Sequence, residues 1–360
     1  MPDDSNRSLS ALRKNIDEIN MGILDLINKR IDILEQIIQL KDKRSMEYFD
    51  PSRESNMMQK ILQNNHGPLQ DTLIKDIFLA IFLTSLEYMD IQKESKMLIS
   101  SKSDKHFYSL QEIFDLPNDL PIIIAGPCAV ESLECLSEVA DYLSKKGIRF
   151  IRAGAYKPRT SPYDFQGLGK EGLKILHTVA KQYDLFSVTE AVDTRDVEII
   201  SQYVDILQIG ARNMQNFELL KEVGKSQCTV LLKRGLSATI NEFMFAAEYI
   251  ASNGCNKIVL CERGIRTYET KTRNTLDISS IPIIKNETNL QIVADLSHSL
   301  GRKDIINPIA KAALAAGADG IMMEVHPKPE LALSDSKQQL DFNEFEELLN
   351  ALQVESIIRN

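Results

Sequence analysis

Three cations and two hydroxyls crowd into one short stretch, Arg152-Ala-Gly-Ala-Tyr-Lys157-Pro-Arg159-Thr160-Ser161-Pro-Tyr163. A guanidinium fork and an ammonium group suit carboxylate and phosphoryl oxygens, and the two prolines stiffen the backbone that carries them. The chemistry on offer is anion capture, although a stretch of this kind in isolation reads more readily as a solvated basic loop. The chain repeats the theme at the ends of other short apolar runs: Gly126-Pro127-Cys128, Glu190, Gly210-Ala211-Arg212, Lys233-Arg234, Glu262-Arg263, Asp295-Leu296-Ser297-His298 and Glu324-Val325-His326-Pro327. Two sets separate by chemistry. Arg152, Lys157, Arg212, Lys233 and Arg263 make a positive pocket suited to a small, multiply charged phosphate ester. Cys128, His298, Glu324 and Asp335 offer sulfur, nitrogen and oxygen donors, a mixture that suits a divalent first-row metal and does not choose among manganese, iron, cobalt and zinc. His326 reads as structural.

These residues need a frame that brings distant strand ends together. The apolar runs Ile122–Ala125, Phe150–Ala153, Leu185–Thr189, Ile206–Ile209, Thr229–Leu232, Lys257–Cys261, Gln291–Ala294 and Gly320–Val325 alternate with amphipathic stretches, several closed by a glycine such as Gly147 or Gly254. Eight strand–helix units over residues 121–360 predict an α/β fold, a (β/α)8 TIM barrel, whose chemistry sits where the loops after the strands converge. No GxGxxG follows the first run, which counts against a dinucleotide site.

Residues 1–92 carry a different period. Leu9, Leu12, Ile16, Ile19, Ile23, Leu26, Arg30, Ile33, Ile37 and Leu40 follow three- and four-residue steps, a heptad seam with one arginine in it. A helix this long predicts a partner, most simply a second copy of the chain. Burying an unpaired charge costs several kcal/mol, so Arg30 needs a reason to be there. Lys41, eleven residues on, shares its face; Arg13 points elsewhere and could serve only a partner's pocket. Residues 93–120, polar and low in apolar content, read as a linker between the small all-α domain and the barrel.

Composition removes other classes. The 360 residues are 43% hydrophobic and 26% charged with a net charge of −9, which argues against a nucleic-acid partner and makes the basic clusters local sites for small anions. No apolar run reaches membrane-spanning length and the N-terminal residues have no leader pattern, so the expected location is cytoplasmic, with no membrane partner. Five cysteines without CxxC spacing indicate neither a disulfide framework nor a zinc knuckle.

In order along the barrel, Ala-Gly-Pro-Cys128-Ala-Val-Glu-Ser, Lys157-Pro-Arg159-Thr160-Ser161-Pro, Gly210-Ala-Arg212-Asn-Met-Gln-Asn, Leu-Lys233-Arg234-Gly, Glu262-Arg263-Gly-Ile-Arg-Thr, Ser297-His298 and Glu324-Val-His-Pro…Ser334-Asp335 resemble the compact type of 3-deoxy-D-arabino-heptulosonate 7-phosphate (DAHP) synthase. The resemblance implies condensation of phosphoenolpyruvate with erythrose 4-phosphate, the first step of the shikimate pathway. It implies a divalent metal, manganese foremost, on Cys128, His298, Glu324 and Asp335. Arg212, Lys233 and Arg263 would hold the phosphate of phosphoenolpyruvate, with Arg152 and Lys157 toward its carboxylate. Arg159, Thr160 and Ser161 would bind the sugar phosphate, and Lys157 would donate a proton. A sister enzyme, 3-deoxy-D-manno-octulosonate 8-phosphate synthase, shares the Gly-Pro-Cys start and remains the alternative, as does a non-catalytic product sensor.

Residues 8–92, with Asp50-Pro-Ser-Arg53-Glu54, resemble the all-helical chorismate mutase domain. The matching positions for chorismate or prephenate are Arg13 (donated across a dimer), Arg30, Lys41, Asp50, Arg53, Glu54 and Ser85. One position departs: Met89 stands four residues after Ser85, where that family has a glutamine. A thioether cannot donate a hydrogen bond. The expectation is weak mutase activity, or a domain kept as a feedback sensor, within a homo-oligomer that is a dimer through the helical domains or a tetramer.

Overall fold

The computed structural model describes residues 4–42, 50–118, 120–159, 161 and 163–358. Two compact units divide the chain, Met1–Lys96 and Met97–Asn360. The first contains α1 (Asp4–Asp42), α2 (Pro51–Gln63) and α3 (Asp71–Ser95). At roughly 1.5 Å per residue α1 runs about 58 Å. The first part of its seam is not covered within the chain: Leu12, Ile16, Ile19 and Leu26 expose 59%, 57%, 58% and 66% of their surface. The α2 helix begins where the Asp50 carboxylate accepts the Arg53 N–H at 3.0 Å and Pro51 takes the first turn, where its missing N–H costs nothing.

The second unit is a closed barrel of eight parallel strands in sequence order. They are β1 (Ile122–Gly126), β2 (Phe150–Arg152), β3 (Phe186–Ala191), β4 (Ile206–Ile209), β5 (Thr229–Lys233), β6 (Ile258–Glu262), β7 (Gln291–Asp295) and β8 (Gly320–Glu324). Closure is by β1 on β8, with Ile122 opposite Gly320 and Gly126 opposite Glu324. All eight runs foreseen from the sequence are strands. Their two-residue period sorts the side chains: Ile124, Phe150, Val188, Ile206, Leu231, Val259, Val293 and Met322 fill the interior, while Ala125, Ile151, Leu207, Leu232 and Ile321 pack outward against the helices.

The linker reading does not hold for residues 97–118. Ser100 bridges Thr288, the Leu98 and Ile99 amides donate to the Glu248 carboxylate at 3.0 and 3.2 Å, and a short helix, α4 (Leu110–Phe114), stoppers the N-terminal mouth of the barrel. Leu110 is wholly buried in the interior cluster, and the Phe114 ring lies 5.4 Å from Phe150 and 4.3 Å from Phe186. Polar residues had hidden this segment. Its few apolar side chains are spent on one small, demanding contact, and α4 is held by a Ser109–Glu112 capping box. Among the described residues, no helix is long and apolar enough to cross a membrane.

Candidate active site

Continuing the inward phase two residues beyond the apolar layer lands on Arg152 after Phe150, Lys233 after Leu231, Asp295 after Val293 and Glu324 after Met322. The C-terminal mouth of the barrel is therefore floored by charge, and that charge is almost dry. Arg152 donates to Glu324 Oε1 at 2.9 Å and to the Pro127 carbonyl at 3.1 Å; Lys233 pairs with Asp295. Although burial opposes it, the Glu324 carboxylate raises the Arg152 guanidinium, so this cation stays charged in the interior.

Four donors converge above this floor. Cys128 follows β1, His298 follows β7, Glu324 ends β8 and Asp335 lies in the loop beyond it. Cys128 Sγ is 3.4 Å from Asp335 Oδ2, and His298 Nε2 is 3.6 Å from Glu324 Oε1 and 3.8 Å from Asp335 Oδ2. Ligands at about 2.0–2.3 Å from one ion stand about that far apart; Cys128, Glu324 and Asp335 each bring a donor atom within 4.8 Å of the others and His298 borders the two carboxylates, a grouping that fits a divalent cation. The electrostatics fit as well. Burial, then Glu324, pushes the Cys128 thiol up to about 11, the state of a thiol beside carboxylates that a cation would relieve. Burial lowers the His298 imidazolium, leaving a neutral ring whose Nδ1 is 2.9 Å from Asp295 Oδ2, in an alignment short of a hydrogen bond. A proton kept on Nδ1 by that carboxylate leaves the Nε2 lone pair toward Glu324 and Asp335.

The cations are arranged around these donors. Lys157 Nζ lies 3.0 Å from both Cys128 Sγ and the Cys128 carbonyl. Arg159 contacts the Ser334 hydroxyl and donates to the Phe165 carbonyl at 2.9 Å. Among the described residues Arg263, which is buried, donates to two neutral oxygens, Gly264 O at 3.2 Å and His298 O at 3.3 Å. Such a guanidinium is receptive to an anion. Arg212, in the turn after β4, is exposed and without an ion pair among the described residues. Ser161 is half-buried, and Thr160 lies outside the described residues. Arg234, adjacent to Lys233, belongs to the scaffold: it donates to Glu262 and Asp277, each at 2.8 Å.

Sequence reasoning named Asp295 at a strand end without giving it a role, and passed over Gln338 and Arg273. Asp295 supports both Lys233 and His298. Gln338 donates to Glu324 Oε2 at 2.6 Å, and Arg273 reaches Asp335 Oδ1 at 3.3 Å. The strand period could have given Asp295 its role; the other two lie in loops, where no period applies.

In the helical unit, Arg30 donates to the Ser85 hydroxyl and its guanidinium carbon lies 5.5 Å from the centre of the Phe82 ring. Burial lowers Arg30, partly offset by Glu54, which places that carboxylate in its neighbourhood. Lys41 is half-buried, Ser85 and Met89 are buried, and Tyr88 contacts Glu35. Asp50 is occupied as the α2 cap, while Arg53 and Arg13 are exposed. Arg30, Glu54 and Ser85 are thus neighbours.

A family model described as DAHP synthetase I family matches residues 108–359, and one described as chorismate mutase type II matches residues 12–90. A phospho-2-dehydro-3-deoxyheptonate aldolase of Thermotoga maritima is 56% identical over 230 residues, 64% of this chain and 68% of that one. A 2-dehydro-3-deoxyphosphooctonate aldolase of Acidithiobacillus ferrooxidans is 30% identical over 257 residues, 66% of this chain and 90% of that one. The crystal structure of the Thermotoga maritima DAHP synthase superposes with a TM-score of 0.70 at 50% identity, covering 73% of this chain and 77% of that one. A truncated form of the same organism's synthase gives 0.67 at 49% identity, covering 72% and 96%.

Proposed function

The chain belongs to the DAHP synthetase I family, with a chorismate mutase type II domain in front, and from that premise we propose that it condenses phosphoenolpyruvate with D-erythrose 4-phosphate to DAHP and phosphate. The observation that carries this reading is the grouping of Cys128, Glu324 and Asp335, with His298 beside the two carboxylates, next to Arg152, Lys157 and Arg263. A divalent metal held by those four donors, manganese first among the candidates, would supply a Lewis acid for the aldehyde oxygen. Arg263, Lys233 and Arg212 hold the phosphate of phosphoenolpyruvate; Arg152 and Lys157 face its carboxylate. Arg159, with Thr160 and Ser161, holds the phosphate of the aldose and so sets its length. Carbon 3 of phosphoenolpyruvate bonds to the aldehyde carbon, water adds at carbon 2, and the bond from carbon 2 to the phosphate oxygen breaks. Lys157 gives its proton to the oxygen that was the aldehyde's. Holding charged groups in a dry site, where they need not reorganise, is the main source of acceleration.

The helical unit is read as the sensor of a downstream product, chorismate or prephenate, with weak mutase turnover. The polar cluster of Arg30, Glu54 and Ser85 supports a dianion site, and Met89 supports its weakness. The uncovered seam of α1 supports a dimer, through which Arg13 would reach the partner's pocket.

The synthase reading is tested by supplying phosphoenolpyruvate with four-carbon and five-carbon aldose phosphates in parallel and measuring phosphate release. Release with the four-carbon sugar is expected. Release with the five-carbon sugar alone would move the chain to the octulosonate branch, to which its 30% identical relatives belong by name.

A further inference from the structure

The loop after β8 must deliver Asp335 to the donor cluster, yet its apolar side chains do not anchor it: Leu331 and Leu333 expose 66% and 56% of their surface. Asp335 itself has φ 50°, in the left-handed region that a non-glycine residue keeps only when its surroundings enforce it. One enforcing contact comes from the loop after β1. The Leu333 N–H donates to Glu131 Oε1 at 2.9 Å, and the Glu131 side chain is only 11% exposed. The other carboxylate oxygen lies 3.5 Å from His326 Nε2, which is also 3.3 Å from Cys135 Sγ.

Glutamate, cysteine and histidine so placed would pass for a second metal centre. The ring tautomer argues otherwise. The Lys328 N–H donates to His326 Nδ1 at 3.0 Å, so the neutral ring holds its lone pair on Nδ1 and its hydrogen on Nε2. Nε2–H therefore faces Glu131 and offers no lone pair to a cation. In a metal-bound histidine the roles are reversed, the outer nitrogen donating.

We propose that Glu131 is a positioning residue: oriented by His326, its carboxylate tethers the Leu333 amide and so fixes Asp335 at the Cys128–His298–Glu324 cluster. The proposal rests on reading that cluster as the metal site. Among the described residues Glu131 makes no contact with any of the four donors; it acts two residues upstream of Asp335 on the backbone.

The test titrates the metal-stripped, full-length chain with Co2+ alone, following thiolate-to-cobalt absorption. Glu131→Ala is expected to bind Co2+ about 10–100-fold more weakly, the usual effect of removing an outer support, with an unchanged thermal midpoint. Glu131→Gln keeps an acceptor for the amide and should recover most of that loss. Parent-like affinity in Glu131→Ala, or a Glu131→Gln no better than the alanine variant, overturns the tether. Hydrogen exchange at the Leu333 amide of the unmutated chain judges the tether independently of folding in either variant: protection is expected, and exchange at the open-chain rate overturns it. A parent chain that takes up no Co2+ would instead overturn the metal reading, leaving the Leu333 exchange to decide the tether.

Discussion

Met89 is buried on α3, one turn beyond Ser85, where the neighbouring Arg30 and Glu54 make a polar site and where a mutase needs a hydrogen-bond donor. A donor aimed at developing charge is worth about 3 kcal/mol of barrier, close to 100-fold in rate. Met89→Gln should therefore raise chorismate mutase turnover by about that factor in a steady-state assay, and no change would mean that the pocket lies elsewhere. Residues of this kind differ in how readable they are. Cys128, His298 and Glu324 stand at strand ends and announce themselves once the strands are counted. Asp335 and Arg159 reach the site through loops, where residue chemistry nominates them but no strand period places them. Glu131 stands inside the Gly-Pro-Cys128 motif but was given no role, because what it binds is a backbone amide, which no sequence displays.

At the scale of the elements, the barrel staples β5 to β6 at the charged mouth. Outward from Lys233, Arg234 meets Glu262 on the next strand and Asp277 beyond it, and Glu262 also accepts the Gly264 N–H at 2.6 Å and the Ser280 hydroxyl at 3.1 Å. Removing one partner of a buried pair strands the other charge. Arg234→Ala should cost about 3–5 kcal/mol in denaturant unfolding, because Glu262 is fully buried; a loss under about 1 kcal/mol would show the pair to be dispensable. The strands were legible because apolar runs of four to six residues, alternating with helical periods, admit few arrangements. The α4 stopper was not, since Leu110, Ile113, Phe114 and Leu116 are too few to make a period and act through a mouth that exists only after the barrel closes.

At the scale of the molecule, two units with separate cores imply that function can be divided at a definite residue. Deleting residues 1–96 should leave condensation intact and abolish inhibition by chorismate or prephenate, measured as phosphate release with and without each; inhibition that survives would refute the sensor role. Deleting through residue 120 should instead yield an insoluble or inactive barrel, because the stopper over Phe150 and Phe186 goes with it. The central claim is that the mouth of this barrel carries out a metal-assisted condensation through Cys128, His298, Glu324 and Asp335. The most direct test is to strip the full-length chain with a chelator, assay phosphoenolpyruvate with erythrose 4-phosphate, and then return manganese. DAHP formation is expected to fall to background and to be restored as one metal ion per chain is taken up; an undiminished rate in the stripped chain would show that the reaction needs no metal.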